Sequence, residues 1–388
     1  MQTQTGTEWR PVDYGAHEGA MQTFLQAGAE RAVRLGNRGP IRFLADGALH
    51  PEIREAYSRY GFYVFTGVID AKECAELETD LKDIISRLPV DIRATVDTQG
   101  RPAIGSGCKA PTVQWVRPLS DPLGGTQKAN GRHPAKMIEP EAPQGSPEHV
   151  VQLVLGALQF SPAFLRLYAH PELLRVAAAI NGEDFVPFNE AIWMKHAGLG
   201  GSVAWHQDGT THWDSPDLDE GTHGFNFMGQ LYGCTPANGV WVVPGSHRLG
   251  KVDIKTWVES AGSDRLPDAV PLVCAPGDVA ICNRQAVHGS FANTSPDPRV
   301  TFNFGFHRRR SVLGAQGGGI HNVPVTYDHD RIDRRAGVIA LGIAARKAHR
   351  PEETAFDYQP YSSRQASIHY SPEAFSTLND YNLLDLGI

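Results

Sequence analysis

Of the 388 residues 41% are hydrophobic and 20% charged, and 36 basic against 43 acidic side chains leave a net charge of −7, which suits a large buried core and lacks the basic excess of a general nucleic-acid binder. No apolar run reaches the ~18 residues of a membrane span, and the opening MQTQTGTEWRPVDYG has no apolar leader region, so neither a membrane anchor nor a secretory signal is expected. Five cysteines, odd in number and without a Cys-x-x-Cys pair, argue against a disulfide scaffold or a zinc ribbon and for a reducing cytoplasm.

Residues 1–45 are polar, Gly-rich and weakly periodic, and read as an arm that docks on the body or on another subunit, which leaves room for a homodimer. The remainder, 46–388, reads as a single domain. His50–Arg59 has the pattern of a short helix and Gly61-Phe-Tyr-Val-Phe-Thr that of a strand. Asp70 then opens an amphipathic helix, with Asp70 and Glu73 in a capping-box pattern and Cys74, Leu77, Leu81, Ile84, Ile85 and Leu88 at helical spacing. Residues 89–150 are rich in Pro, Gly and polar side chains, with one strand-like stretch at Thr112–Arg117, and read as a lid-like insertion in which Trp115 is a core or pocket residue. Ser161–Ile180 reads as one further helix.

From Phe185 to His307 short strands alternate with turn signals: Ala191–Lys195, Val203–Asp208, Gly224–Tyr232, Val240–Val243, Val279–Asn283 and Val300–His307. This pattern predicts a mainly β protein with flanking α-helices and an antiparallel sandwich or jelly-roll core. The chain beyond about residue 310 returns to helix and loop, with an Ala-rich helix near Arg334–Ala348.

Sixteen histidines direct attention to metal ligation. His-x-Asp/Glu occurs at His50, His170, His206 and His212, against about two chance occurrences. The first two read His-Pro-Glu, where helix initiation accounts for the acidic residue. In Ser202-Val-Ala-Trp-His-Gln-Asp208 the strand period of two instead points His206 and Asp208 to one face. A second imidazole from a later strand would complete a 2-His-1-carboxylate triad, which leaves open positions on Fe(II), and His288 is well placed to supply it. In Arg299–His307, Val300, Phe302, Phe304 and Phe306 form an apolar face and Arg299, Thr301 and Asn303 a polar one. An inward Arg is costly in a barrel unless it meets an anion, and its planar fork suits a carboxylate such as the distal one of 2-oxoglutarate. The pair His212-Trp-Asp214 is a rival to the first. Six residues of strand span about 20 Å, so both pairs cannot serve one ion, and the loop-like surroundings of His212 favour His206. His212, Trp213 and His223 then belong to the substrate entrance, and Ser246 and His247 to a structural Pro-Gly turn.

The ordered set Gly61-Phe-Tyr-Val, Trp205-His-Gln-Asp208, Asn238-Gly, Pro244-Gly-Ser-His247, Pro276-Gly-Asp278, His288-Gly-Ser290 and Arg299 resembles the phytanoyl-CoA dioxygenase family of Fe(II)- and 2-oxoglutarate-dependent oxygenases, strongly over 50–310 and weakly in the tail. The resemblance implies a double-stranded β-helix (cupin-like) fold with iron held by His206, Asp208 and His288. It also implies 2-oxoglutarate contacts from Arg299, Ser290 and Lys195. Fe(II), 2-oxoglutarate and O2 are the implied cofactor and cosubstrates, and the partner a small, moderately hydrophobic metabolite rather than a nucleic acid or membrane. A carboxylate at position 208, where related halogenases carry a small residue, points to hydroxylation, or to desaturation or rearrangement. The rival readings are a cupin-like metalloenzyme that does not use 2-oxoglutarate and a non-enzymatic jelly-roll binding protein.

Overall fold

The computed structural model describes residues 11–209, 224–318 and 324–385, except the side chain of Asn189. Twelve of the described strands build two sheets: β1 (Arg38–Gly39), β2 (Phe62–Phe65), β3 (Val113–Val116), β4 (Val150–Leu155), β5 (Val186–Lys195), β6 (Val203–His206), β7 (Gly224–Gln230), β8 (Trp241–Val242), β9 (Val270–Pro271), β10 (Val279–Asn283), β11 (His288–Ser290) and β12 (Arg299–His307). The larger sheet runs β1-β2-β10-β7-β12-β5-β4-β3 and the smaller β6-β11-β8-β9. All their pairings are antiparallel apart from β1 with β2. One cavity is lined from both sheets, by Trp193, Met228 and Thr301 on the larger and by Val203, His206 and Ser290 on the smaller. The two inner faces therefore meet around it, which is the jelly-roll arrangement the turn-punctuated strands predict.

Strand β12 shows how sequence alternation sets the two sides. Phe302 and Phe304 pack on Phe164 and Tyr168, and Phe306 packs on Phe185, all on the outer side. Burying each ring contributes roughly 2 kcal/mol. Arg299, Thr301 and Asn303 point inward to the cavity. The outer apolar face is covered by helices Ala71–Ser86, Pro162–Tyr168, Pro171–Asn181 and His329–His349, which share one core cluster with it. Gly342 permits a close approach between two of these helices: a Cβ there would stand 3.0 Å from the Leu165 carbonyl oxygen. Arg346 pairs with Glu73 at 2.6 Å and Arg350 with Asp70 at 2.8 Å, tying the last long helix to the first helix of the layer.

Two expectations are corrected by this geometry. The helix expected over Ser161–Ile180 is two helices, because Pro171 opens a new first turn and holds His170, the residue before it, in extended backbone (ψ 122°). The capping box is half formed: Asp70 accepts the Glu73 N–H, but the Glu73 carboxylate is buried against Arg346 instead of returning to the cap. The strand expected at Thr112–Arg117 within 89–150 is present as β3, which extends the larger sheet through β4. The arm holds a helix that its weak periodicity conceals, Glu18–Arg34. Phe24 stacks on Trp241 at 4.4 Å, and a Cβ on Gly28 would meet that indole at 2.3 Å, so glycine alone permits the contact.

Candidate metal centre

Strands β6 and β11 pair antiparallel with His206 directly opposite His288. Asp208 lies two residues beyond His206, where its N–H bonds the Arg284 carbonyl at 2.8 Å and so prolongs the strand course. The intervening residues point away: Trp205 donates to the Asp264 carbonyl, and Gln207 clamps the carbonyls of Gly250 and Gln285. Gly289 sits where a Cβ would be 2.9 Å from the Val203 carbonyl oxygen, so the two ligand strands approach as closely as they do because no side chain intervenes.

The ligand atoms of His206, Asp208 and His288 lie within 4.8 Å of one another and all three residues are buried. Nδ1 of His206 and Nδ1 of His288 each lie 2.9 Å from a carbonyl oxygen, of Ala204 and Ala286. A carbonyl only accepts, so both Nδ1 atoms carry the proton and both Nε2 lone pairs are free for a metal. These Nε2 atoms stand 3.4 and 3.8 Å from the Asp208 carboxylate, whose Oδ1 is buried without a hydrogen-bond partner among the described residues. Three converging donors and an orphaned carboxylate oxygen fit a divalent ion.

Burial opposes ionisation of Asp208, but the neighbouring Arg284 guanidinium outweighs it and holds the carboxyl well below the ordinary range. Burial pushes His288 down to about 4, which favours the neutral, ligating form. Asn226 fixes the carboxylate from behind: its Nδ2 donates to Asp208 Oδ2 at 2.9 Å while its Oδ1 accepts from Arg284 at 3.0 Å. The sequence reading misses both residues. Asn226 had a signal, as the polar member of the Phe225-Asn-Phe alternation; Arg284 had none.

The cavity that holds the triad spans about 630 Å³ when its open mouth is included. Arg299 and Ser290 both line it. Arg299 is buried, gives Nη1 to the Asn238 carbonyl at 3.0 Å and keeps Nε without a partner among the described residues, so the cavity offers an unused donor where an anion's carboxylate fits. Burial lowers its guanidinium to about 10, still charged at neutral pH. Lys195 lies opposite Arg299 in the β5–β12 ladder, yet its Nζ donates to the Phe291 carbonyl and it does not line the cavity. Ser246 and His247 brace the scaffold. Ser246 Oγ accepts the N–H of Val287, next to a ligand, and His247 Nε2 reaches the Ser58 carbonyl at 3.0 Å. His212, Trp213, Asp214 and His223 lie outside the described residues.

The opposite wall comes from the chain between β3 and β4, which brings Arg132 and His133 over the triad. The His133 ring lies 4.3 Å from that of His206, and Arg132 Nη1 is 3.7 Å from Asp208 Oδ1. Both nitrogens of His133, and Nε and Nη1 of Arg132, are buried without a hydrogen-bond partner among the described residues. Burial, then the neighbouring His206 and Arg132, push His133 far below the ordinary imidazole value, so it is neutral. Nothing in Asn130-Gly-Arg-His-Pro134 marks either side chain from sequence.

A jelly roll with a buried pair of imidazoles and one carboxylate converging between its sheets defines the class of mononuclear non-haem metal proteins. The sequence pattern described as phytanoyl-CoA dioxygenase matches residues 57–301, and the chain belongs to that family, whose cofactor and cosubstrates are Fe(II), 2-oxoglutarate and O2. Phytanoyl-CoA dioxygenase 1 of Oryza sativa subsp. japonica is 32% identical over 114 residues, covering 27% of this chain and 39% of that protein, so the chain spans about two fifths of that relative. Among solved structures, EctD from S. alaskensis with 2-oxoglutarate and 5-hydroxyectoine is 20% identical over 75% of this chain and 83% of its own, with a TM-score of 0.49. AviO1 from Streptomyces viridochromogenes Tue57 is 21% identical over 65% and 92%, with a TM-score of 0.44. No helix among the described residues is long and apolar enough to cross a membrane.

Proposed function

We propose that the chain is an Fe(II)- and 2-oxoglutarate-dependent dioxygenase that hydroxylates a C–H bond of a small, moderately hydrophobic metabolite. One observation carries this reading: a single cavity holds the converging donors of His206, Asp208 and His288 together with the unused donor of buried Arg299. When bound, iron with 2-oxoglutarate and O2 supplies an oxidant able to take hydrogen from carbon, and the cosubstrate leaves as succinate and CO2. His206, Asp208 and His288 would hold the metal, and Asn226 with Arg284 keeps the carboxylate ionised and aimed. Arg299 anchors the distal carboxylate of the cosubstrate with Ser290 beside it, and Lys195, next to Arg299 in the ladder, supports that end of the sheet through its bond to the Phe291 carbonyl. Trp193, Met228, Val203 and Val240 supply apolar wall, which limits water and holds an apolar substrate portion.

The test is Fe(II)-dependent conversion of 2-oxoglutarate to succinate with matched O2 uptake, first without and then with candidate metabolites. One iron per chain and succinate in step with O2 are expected. O2 uptake by the iron-loaded protein that is independent of 2-oxoglutarate would replace this reading with that of a cupin-like metalloenzyme.

A further inference from the structure

A second cavity, about 2340 Å³ including its open mouth, lies between the 89–132 segment and the β3-β4-β5 end of the larger sheet. It shares Leu123, Arg132 and Trp193 with the metal cavity, so these three side chains border both spaces. Its charged lining is of one sign: Arg93, Lys109, Lys128 and Arg132, with no Asp or Glu among the described lining residues. Arg93, Lys109 and Lys128 make no side-chain ion pair among the described residues, and their charges reach solvent in the mouth. Arg132 differs from these three. It is nearly buried and pairs with Asp208 at a loose 3.7 Å, while its Nε and Nη1 make no hydrogen bond among the described residues, which leaves donors free for a further acid group. Trp115 and Trp193 add flat apolar surface along the same space.

We propose that the substrate is an organic anion with an apolar, ring-sized body, which enters through this cleft and pairs its carboxylate or phosphate with Arg132. The inference rests on the dioxygenase reading and narrows its substrate class. Like-signed charges along a cleft raise the local concentration of an anion. The buried fork at the inner end then converts attraction into a fixed pose, because a bidentate pair sets orientation as well as affinity. Arg132 Nη1 lies 3.7 Å from Asp208 Oδ1, so an acid group held there stands beside the metal face. The carbon presented for oxidation is therefore within a few bonds of the acid group, and the apolar body trails outward past Trp193.

The test uses the full chain loaded with Fe(II) and 2-oxoglutarate under anaerobic conditions, titrated with 2-naphthylacetate, its neutral carboxamide and 2-naphthyl phosphate while tryptophan fluorescence and heat are recorded. At least tenfold tighter binding of one or both anions than of the amide is expected, and their ratio tells carboxylate from phosphate. Arg132→Met should abolish the preference and Arg132→Lys keep part of it. Lys109→Gln and Lys128→Gln should each weaken anion binding two- to threefold and flatten its salt dependence. Equal binding of acid and amide, no binding of any probe at millimolar concentration, or a preference retained in Arg132→Met would overturn the proposal. A tenfold fall in 2-oxoglutarate affinity in Arg132→Met would overturn it too, by placing Arg132 on the cosubstrate. Succinate formation without substrate reads the underlying activity separately. If it is present while the anion preference is missing, only the substrate class fails; if 2-oxoglutarate neither binds nor turns over, the dioxygenase reading fails instead.

Discussion

The cavity has two walls of different construction. The wall of His206, Asp208, His288 and Arg299 is β-ladder, in which every ligand backbone is held by a neighbouring strand or its continuation. The wall of Arg132 and His133 is irregular chain, held chiefly by Asp121, whose carboxylate accepts the N–H groups of Leu123, Gly124 and Met137, and by one backbone bond from Gly125 to His133. Just before Arg132, Ala129 and Asn130 take left-handed backbone (φ 48° and 58°), which costs non-glycine residues about 1 kcal/mol each. Metal ligation needs fixed angles, and the candidate ligands sit on the stiff wall. Contact with a variable substrate tolerates, and benefits from, a wall that can adjust.

The sharpest way to break this contrast is to remove a ligand. His206→Ala, Asp208→Ala and His288→Ala should each abolish stoichiometric Fe(II) binding and 2-oxoglutarate turnover, whereas His212→Ala should keep its iron. Metal analysis of the folded variants decides, and an iron-free His212 variant beside an iron-loaded His206 variant would transfer the site. Next comes Arg299→Ala, which should leave iron in place and raise the 2-oxoglutarate requirement by roughly a hundredfold, the cost of one desolvated bidentate pair. Unchanged cosubstrate affinity in calorimetry would remove Arg299 from the site. Behind the stiff wall, Asn226→Ala should lower metal affinity by about 10- to 100-fold at unchanged fold, as loss of a ligand's supporting partner does; competition with a chelator measures it.

The helix layer supplies a control remote from both walls. Burial depresses His170 to about 3, whereas the unfolded imidazole titrates near 6.5. The unfolded chain therefore binds more protons between these values, and stability falls as pH drops from 6.5 towards 3. Between pH 6.5 and 5 the loss from this group is about 2 kcal/mol, visible as a lower denaturant midpoint. His170→Asn should flatten that slope, and an equal slope in the variant would show that other groups govern it. The smallest effect concerns the adjustable wall: cleavage by protease within 89–150 should slow several-fold when a turnover-supporting substrate is bound. Equal cleavage with and without it would make this wall as stiff as the other.

The two walls also divide what sequence could tell. His206 and Asp208 were legible because strand period two places them on one side, and Arg299, Thr301 and Asn303 because apolar residues alternate with them. Pro-Gly turns between short strands conveyed the jelly roll. The rest was hidden for identifiable reasons. The helix Glu18–Arg34 buries only a narrow stripe, Met21, Leu25 and Gly28, so its periodicity is faint. Strand β4 is buried along its whole length and shows no alternation. Arg132 and His133 reach the site through a loop, where position follows from long-range packing and no local period records it. Lys195 shows the limit of register: the ladder puts it beside Arg299, but its terminal nitrogen turns to a backbone carbonyl.

The antiparallel partnership of His206 with His288 has a consequence during synthesis. At roughly 5–20 residues per second, the ribosome needs on the order of 4–16 s to pass from one histidine to the other. A nascent chain stopped between residues 231 and 278 has only two of the three donors and lacks β10, β11 and β12 altogether. Its β2, β5 and β7 wait with unpaired edges, since β10 joins β2 to β7 and β12 joins β7 to β5. Iron capture and closure of the larger sheet are thus late events of the same short stretch of translation, and a truncation before residue 288 should yield an aggregating, metal-free product.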